Sequence, residues 1–172
     1  GQGQAHYGQT AEDLMDPFKE EFDLMEALLA RRLRLRIMSE KGVSFEILNG
    51  YSQDSEGRFI MPDLAFGADV WALLKIKVNA ELCTQPVGSS LKILSAYVDY
   101  LDQDGADQRS DTSKMRIDLC GRTEFAGLEA DETVQMRATE VRAATLQENA
   151  QVAARSGNWA EVDKIMINLE AL

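Results

Sequence analysis

Four arginines stand within six positions, Arg31, Arg32, Arg34 and Arg36, and Leu33, Leu35 and Ile37 between them set a two-residue alternation. On a strand such arginines project side by side at roughly 7 Å intervals, a spacing at which guanidinium groups could grip an anion. Against that chemistry stands the rest of the chain, with 29 acidic residues to 18 basic ones and a net charge of −11. Acidic neighbours reach the row first, so it reads as a solvated, salt-bridged strand face. A second cluster, Asp102, Asp104, Asp107 and Asp111 around Gly105, has alternating carboxylates and a glycine that could wrap a calcium ion. Setting Gly105 at the sixth position of such a loop puts Tyr100 at the first and Asp111 at the twelfth. The entry carboxylate is then missing and the closing glutamate is shortened. An acidic hairpin loop is the expectation, with a calcium-responsive binding domain as the alternative.

The rest of the inventory is poor in catalytic groups. His6, the single histidine, lies in a Gly/Gln-rich tail, which argues against a histidine base, a Ser-His-Asp triad or a histidine-based zinc site. No glycine-rich phosphate loop occurs. Cys83 and Cys120 match no metal spacing and read as a buried pair of free thiols. Tyr51, Tyr97 and Tyr100 are the candidates for a glycan-binding aromatic platform. No catalytic or cofactor-binding residue is assigned, and a non-enzymatic role is expected.

Stepping outward, residues 1–30 read as a tail and a lead-in helix. Asp16-Pro17 starts it, and Phe18, Phe22, Met25, Leu28 and Leu29 form one apolar stripe to about Ala30. At Arg32 the period becomes two, and strands are expected over about Arg32–Ile37, Val43–Leu48, Arg58–Leu64, Val70–Val78, Leu91–Tyr100 and Lys114–Cys120. Turn chemistry joins them without crossover helices, so residues 31–130 are expected to be an antiparallel β-sandwich. Residues 131–172 read as a helical hairpin. The long helix carries Val134, Ala138, Val141, Thr145 and Val152, and Gly157 suits its left-handed cap. Asn158 then caps a helix whose stripe Trp159, Val162, Met166 and Leu169 reads as core, with an exposed groove for a partner helix as the runner-up. The class is mainly β with flanking helices, α+β.

At 172 residues and 45% hydrophobic content a folded chain is expected, long enough for one core and a small appendage. Its acidity disfavours nucleic acid and anionic membranes as partners. No apolar run is long enough to span a bilayer and no signal peptide stands at Gly1. A cytoplasmic setting is slightly favoured, with a leader on a longer parent left open.

Three segments carry a family resemblance. Asp16-Pro17-Phe18-Lys19-Glu20-Glu21-Phe22-Asp23-Leu24 running into Ala30–Arg36, then Phe66-Gly67-Ala68-Asp69-Val70-Trp71-Ala72-Leu73-Leu74, then Ala153-Ala154-Arg155-Ser156-Gly157-Asn158-Trp159 resemble the region after the metal-binding domain in bacterial von Willebrand factor type A domain proteins. The family's metal site needs Asp-x-Ser-x-Ser after a buried strand. The nearest string here, Asp111-Thr112-Ser113-Lys114-Met115, has methionine at the last serine position and follows a polar loop. The resemblance implies an accessory sandwich and helical hairpin without the adhesion motif, acting as a protein-interaction or scaffolding module. The adjacent domain of its parent, or another protein, is the implied partner.

Overall fold

The computed structural model describes residues 28–171. Eight strands run through it: β1 Leu28–Ser39, β2 Val43–Ile47, β3 Phe59–Ile60, β4 Leu64–Ala65, β5 Leu74–Val78, β6 Ser90–Leu101, β7 Asp107–Arg109 and β8 Ser113–Asp118. A 3₁₀ turn covers Ala80–Thr84, and three α-helices follow the strands: α1 Arg122–Ala126, α2 Glu132–Arg155 and α3 Trp159–Glu170. The class is α+β, with antiparallel pairing in the β1–β3, β1–β4, β2–β5 and β6–β7 ladders. Among the described residues the strands close no barrel. The tail, His6 and most of the helix expected over Pro17–Ala30 lie outside the described residues. The last three positions of that helix are strand, because Leu28 and Ala30 pair with Ala65 and Leu64.

The chain forms two compact units, each assembled from three segments. The first takes the described residues to Met38, Tyr51–Trp71 and Leu94–Met115; the second takes Ser39–Gly50, Ala72–Ile93 and everything from Arg116. In the first unit Ala30, Leu33, Phe59, Met61 and Leu94 are buried. Strand β1 lies between β3 and β6 in a six-stranded sheet whose order continues to β7, with β4 also on β1 and β8 also on β6. β1 changes partner at Arg32, whose φ of 54° is the single positive value at a non-glycine among the described residues. Before it the strand pairs with β4 and after it with β3, and the Arg32 N–H between the two ladders donates to Asp63 Oδ1 at 2.7 Å. The register is the same on both sides of Arg32, with Pro62 opposite it, and the Asp63 carboxylate takes the Arg32 N–H in the gap between the two ladders.

In the second unit β2 and β5 make a two-stranded sheet. Val43, Phe45 and Ile47 face Val78, Ile76 and Leu74 on one side, and Glu46 stands opposite Lys75 on the other. These are the alternations the sequence displays. Gly42 turns the chain into β2 at φ 83°, and a Cβ there would meet Leu82 Cδ1 at 3.1 Å. The strand expected from Val70 starts only at Leu74. Side chains take over the preceding backbone groups, with Leu73 N–H donating to Asn49 Oδ1 at 2.6 Å and the Tyr51 hydroxyl donating to the Trp71 carbonyl at 3.0 Å.

The helical hairpin starts and turns where the sequence says. Asp131 accepts from Val134 N–H at 3.0 Å at the α2 N-terminus, and Asn158 accepts from Glu161 N–H at 3.3 Å at that of α3. Between them Gly157 has φ 74°, with Gly157 N–H on the Ala154 carbonyl and Asn158 N–H on that of Ala153. This pair of bonds is the Schellman closure that a glycine permits.

Candidate interaction surface

One member of the arginine row, Arg34, enters an ion network inside the first unit. Arg34 Nε lies 3.9 Å from Asp54 Oδ2, and Arg36 donates to the Glu56 carbonyl. Asp54 accepts from Arg58 twice, from its N–H and from its Nε, each at 2.9 Å. Arg58 also reaches Glu56 at 3.3 Å and Asp99 at 3.5 Å. Asp99 receives a forked bond from Arg109, at 2.6 and 3.1 Å, and that guanidinium lies 4.2 Å over the ring of Tyr97. Three arginines and three carboxylates therefore alternate along one network. The Arg58 backbone N–H holds the Asp54 carboxyl below the usual carboxylate range, and the Arg109 side chain does the same to Asp99. Both guanidinium groups are in turn pushed up by the carboxylates they bind. An anion approaching Arg34, Arg58 or Arg109 meets a guanidinium already beside a carboxylate.

The acidic loop is a hairpin turn between β6 and β7. Asp102 N–H donates to the Ala106 carbonyl, and Gly105 turns at φ 80°. Asp102 spends both carboxylate oxygens within the loop, Oδ2 on Gln108 Nε2 at 2.8 Å and Oδ1 on Ala106 N–H at 2.9 Å, and these bonds lower its pKa. Asp107 belongs to β7, a strand that the sequence did not announce, and Asp111 lies beyond it. Among the described residues no three of Asp102, Asp104, Asp107 and Asp111 converge on a point where a metal would sit. Tyr51, Tyr97 and Tyr100 are each half-buried, so they form no exposed platform.

The cysteines are free, but they are not a buried pair. Cys83 is exposed and Cys120 half-buried. Asn79 accepts from Glu81 N–H at 3.1 Å and starts the 3₁₀ turn that carries Cys83.

The helical hairpin carries the surface with the clearest unused apolar area. On α3 the buried side is Ile165, with Val162 and Leu169 half-buried beside it. Trp159 is 66% exposed and Met166 48%. The expected stripe of Trp159, Val162, Met166 and Leu169 is thus rotated, and its first and third members are not core. At 100° per residue all five side chains fall on one apolar arc, of which α2 covers about half. Asp163 and Glu170 border the uncovered half, giving it an acidic rim. Sequence reasoning passed over Ile165, whose neighbours Met166 and Ile167 make three consecutive apolar positions with no unique phase. Such an arc can hold an apolar side chain of a partner whose own rim is basic.

Neither a family model nor a curated protein sequence matches this chain. Solved structures do. The crystal structure of the ArnB paralog VWA2 from Sulfolobus acidocaldarius is similar with a TM-score of 0.50 at 16% identity, over 89% of this chain and 37% of that one. A von Willebrand factor type A protein from Catenulispora acidiphila is similar with a TM-score of 0.52 at 12% identity, over 95% of this chain and 42% of that one. The chain therefore shares a fold with von Willebrand factor type A proteins and spans about two fifths of the length of those it matches. No helix among the described residues is long and apolar enough to cross a membrane.

Proposed function

We propose that this chain is a non-enzymatic interaction module, an accessory β-sandwich with a helical hairpin from a protein of the von Willebrand factor type A kind, and that it binds protein through the uncovered arc of α3. The observation that carries the proposal is the exposure of Trp159 and Met166 on the same arc of the helix as Ile165, which is buried, and Val162 and Leu169, which are half-buried. A tryptophan left two-thirds in water brings a large apolar area to an interface and loses little side-chain entropy there. The fold likeness supports the setting, since it extends over nearly all of this chain and under half of each neighbour. The antiparallel sheets fit the accessory part of such a protein, and Met115 stands where the adhesion motif needs a serine.

The test is a calorimetric titration of the chain with a separately produced von Willebrand factor type A domain from the same organism. Micromolar binding, weakened at least tenfold by Trp159→Ala, is expected. Binding insensitive to Trp159→Ala and Met166→Ala would move the surface elsewhere. A hydrolytic activity abolished by replacing one carboxylate would overturn the non-enzymatic reading.

A further inference from the structure

The long helix α2 uses one side against α3 and leaves a different side bare. Toward α3 it turns Ala153, which is buried, and Leu146 and Ala150, which are half-buried. The other side carries Val134, Ala138, Val141, Thr145, Glu148 and Val152, separated by steps of four, three, four, three and four residues. That spacing is the seam of a two-stranded coiled coil, kept over 19 positions from Val134 to Val152. Val134 is 54% exposed and Val152 59%, Ala138, Thr145 and Glu148 are exposed, and Val141 is half-buried.

We infer that this seam pairs antiparallel with the same seam of a second copy of the chain. Charge selects that occupant. The chain has a net charge of −11, yet α2 balances Glu132, Glu140 and Glu148 with Arg137, Arg142 and Arg155, so two copies of this helix meet without net repulsion. Among the described residues Arg142 and Glu148 enter no ion pair, whereas Arg137 binds Glu140 at 3.0 Å on the same helix. A two-fold axis that sets Val141 of one copy against Val152 of the other places each Glu148 between Thr145 and Arg142 of the opposite helix. Glu148 is then answered by the opposite charge of Arg142, Thr145 keeps its hydroxyl on the Val141 carbonyl of its own helix at 2.9 Å, and the pair repeats twice by symmetry. A parallel pairing would stack Glu148 on Glu148. The paired stretch runs from Ala138 to Arg155 of each copy, with Val134 reaching past the end of the opposite helix.

Sedimentation velocity on the full chain over a range from about 5 µM to 500 µM tests it. The expected result is a mass rising toward twice 19.1 kDa with concentration. Val141→Lys and Val152→Lys should each raise the dissociation constant at least tenfold, and Met166→Ala should leave it within about twofold. Because a lysine in the seam could disturb the helix, the register is read by charge reversal. Glu148→Arg alone and Arg142→Glu alone weaken association, and the double variant restores it. A chain monomeric at 500 µM, or single reversals without effect, would overturn the inference.

Discussion

At the scale of single residues, the strongest local demand in the described chain is at Arg32. A non-glycine side chain in the left-handed region costs about 1–2 kcal/mol, and glycine there gives back about 0.5–1 kcal/mol through the unfolded chain. Arg32→Gly should therefore leave stability unchanged or raise it by up to about 1 kcal/mol in urea unfolding. Asp63→Ala removes the acceptor of the Arg32 N–H and should lower stability by about 1 kcal/mol. The carboxylates of the ion network make a second prediction. Folding lowers the pKa of Asp54 and Asp99, so as pH falls the unfolded chain takes up their protons first. Their contribution is complete above about pH 4 and disappears as pH drops through their lowered values. The melting temperature should fall from pH 5 to pH 2, and Asp99→Asn should flatten that slope. The alternating arginines were legible in the sequence, and of them Arg34 reaches a carboxylate while Arg36 meets a backbone carbonyl. The carboxylates of the network, Asp54 and Asp99, were not legible, because folding across 20 and 41 residues, from Arg34 and from Arg58, brings them there.

At the scale of elements, caps and turns proved more legible than phases. Gly157 and Asn158 announce the turn between α2 and α3 through side-chain and backbone chemistry that is local, and the structure uses both of them. The phase of α3 depends on which neighbour covers it, and three apolar residues in succession hide that choice. Truncation separates the two sides of the helix. Ile165→Ala should cost about 2–4 kcal/mol, the penalty of a cavity under a side chain only 7% exposed. Trp159→Ala should change stability by less than about 1 kcal/mol, because most of that ring already meets water. Chemical denaturation followed by circular dichroism at 222 nm reads both. At the turn into β2, Gly42→Ala should destabilise by about 1 kcal/mol or more, since the positive φ and the close Leu82 side chain act together.

At the scale of the whole molecule, charge is the property that the sequence states most plainly and that geometry then distributes. Eleven net negative charges repel one another in the compact state and separate on unfolding, so the folded chain carries an electrostatic penalty that salt relieves. Screening length falls from about 30 Å at 0.01 M salt to about 8 Å at 0.15 M. The short contacts of the Arg58 network are screened less than the diffuse repulsion, so the balance favours folding. The melting temperature should rise by a few degrees between 10 and 150 mM sodium chloride, on a scale where 1 kcal/mol is worth about 2–4 °C. The same measurement examines the acidic loop. A cation held by Asp102, Asp104, Asp107 and Asp111 would bind the native state alone and add stability beyond screening. Because Asp102 already gives both oxygens to Ala106 and Gln108, calcium chloride at matched ionic strength should match sodium chloride to within about 1 °C. An excess of several degrees at 5 mM calcium, lost in Asp104→Asn, would show that the loop rearranges around an ion and would restore the calcium reading.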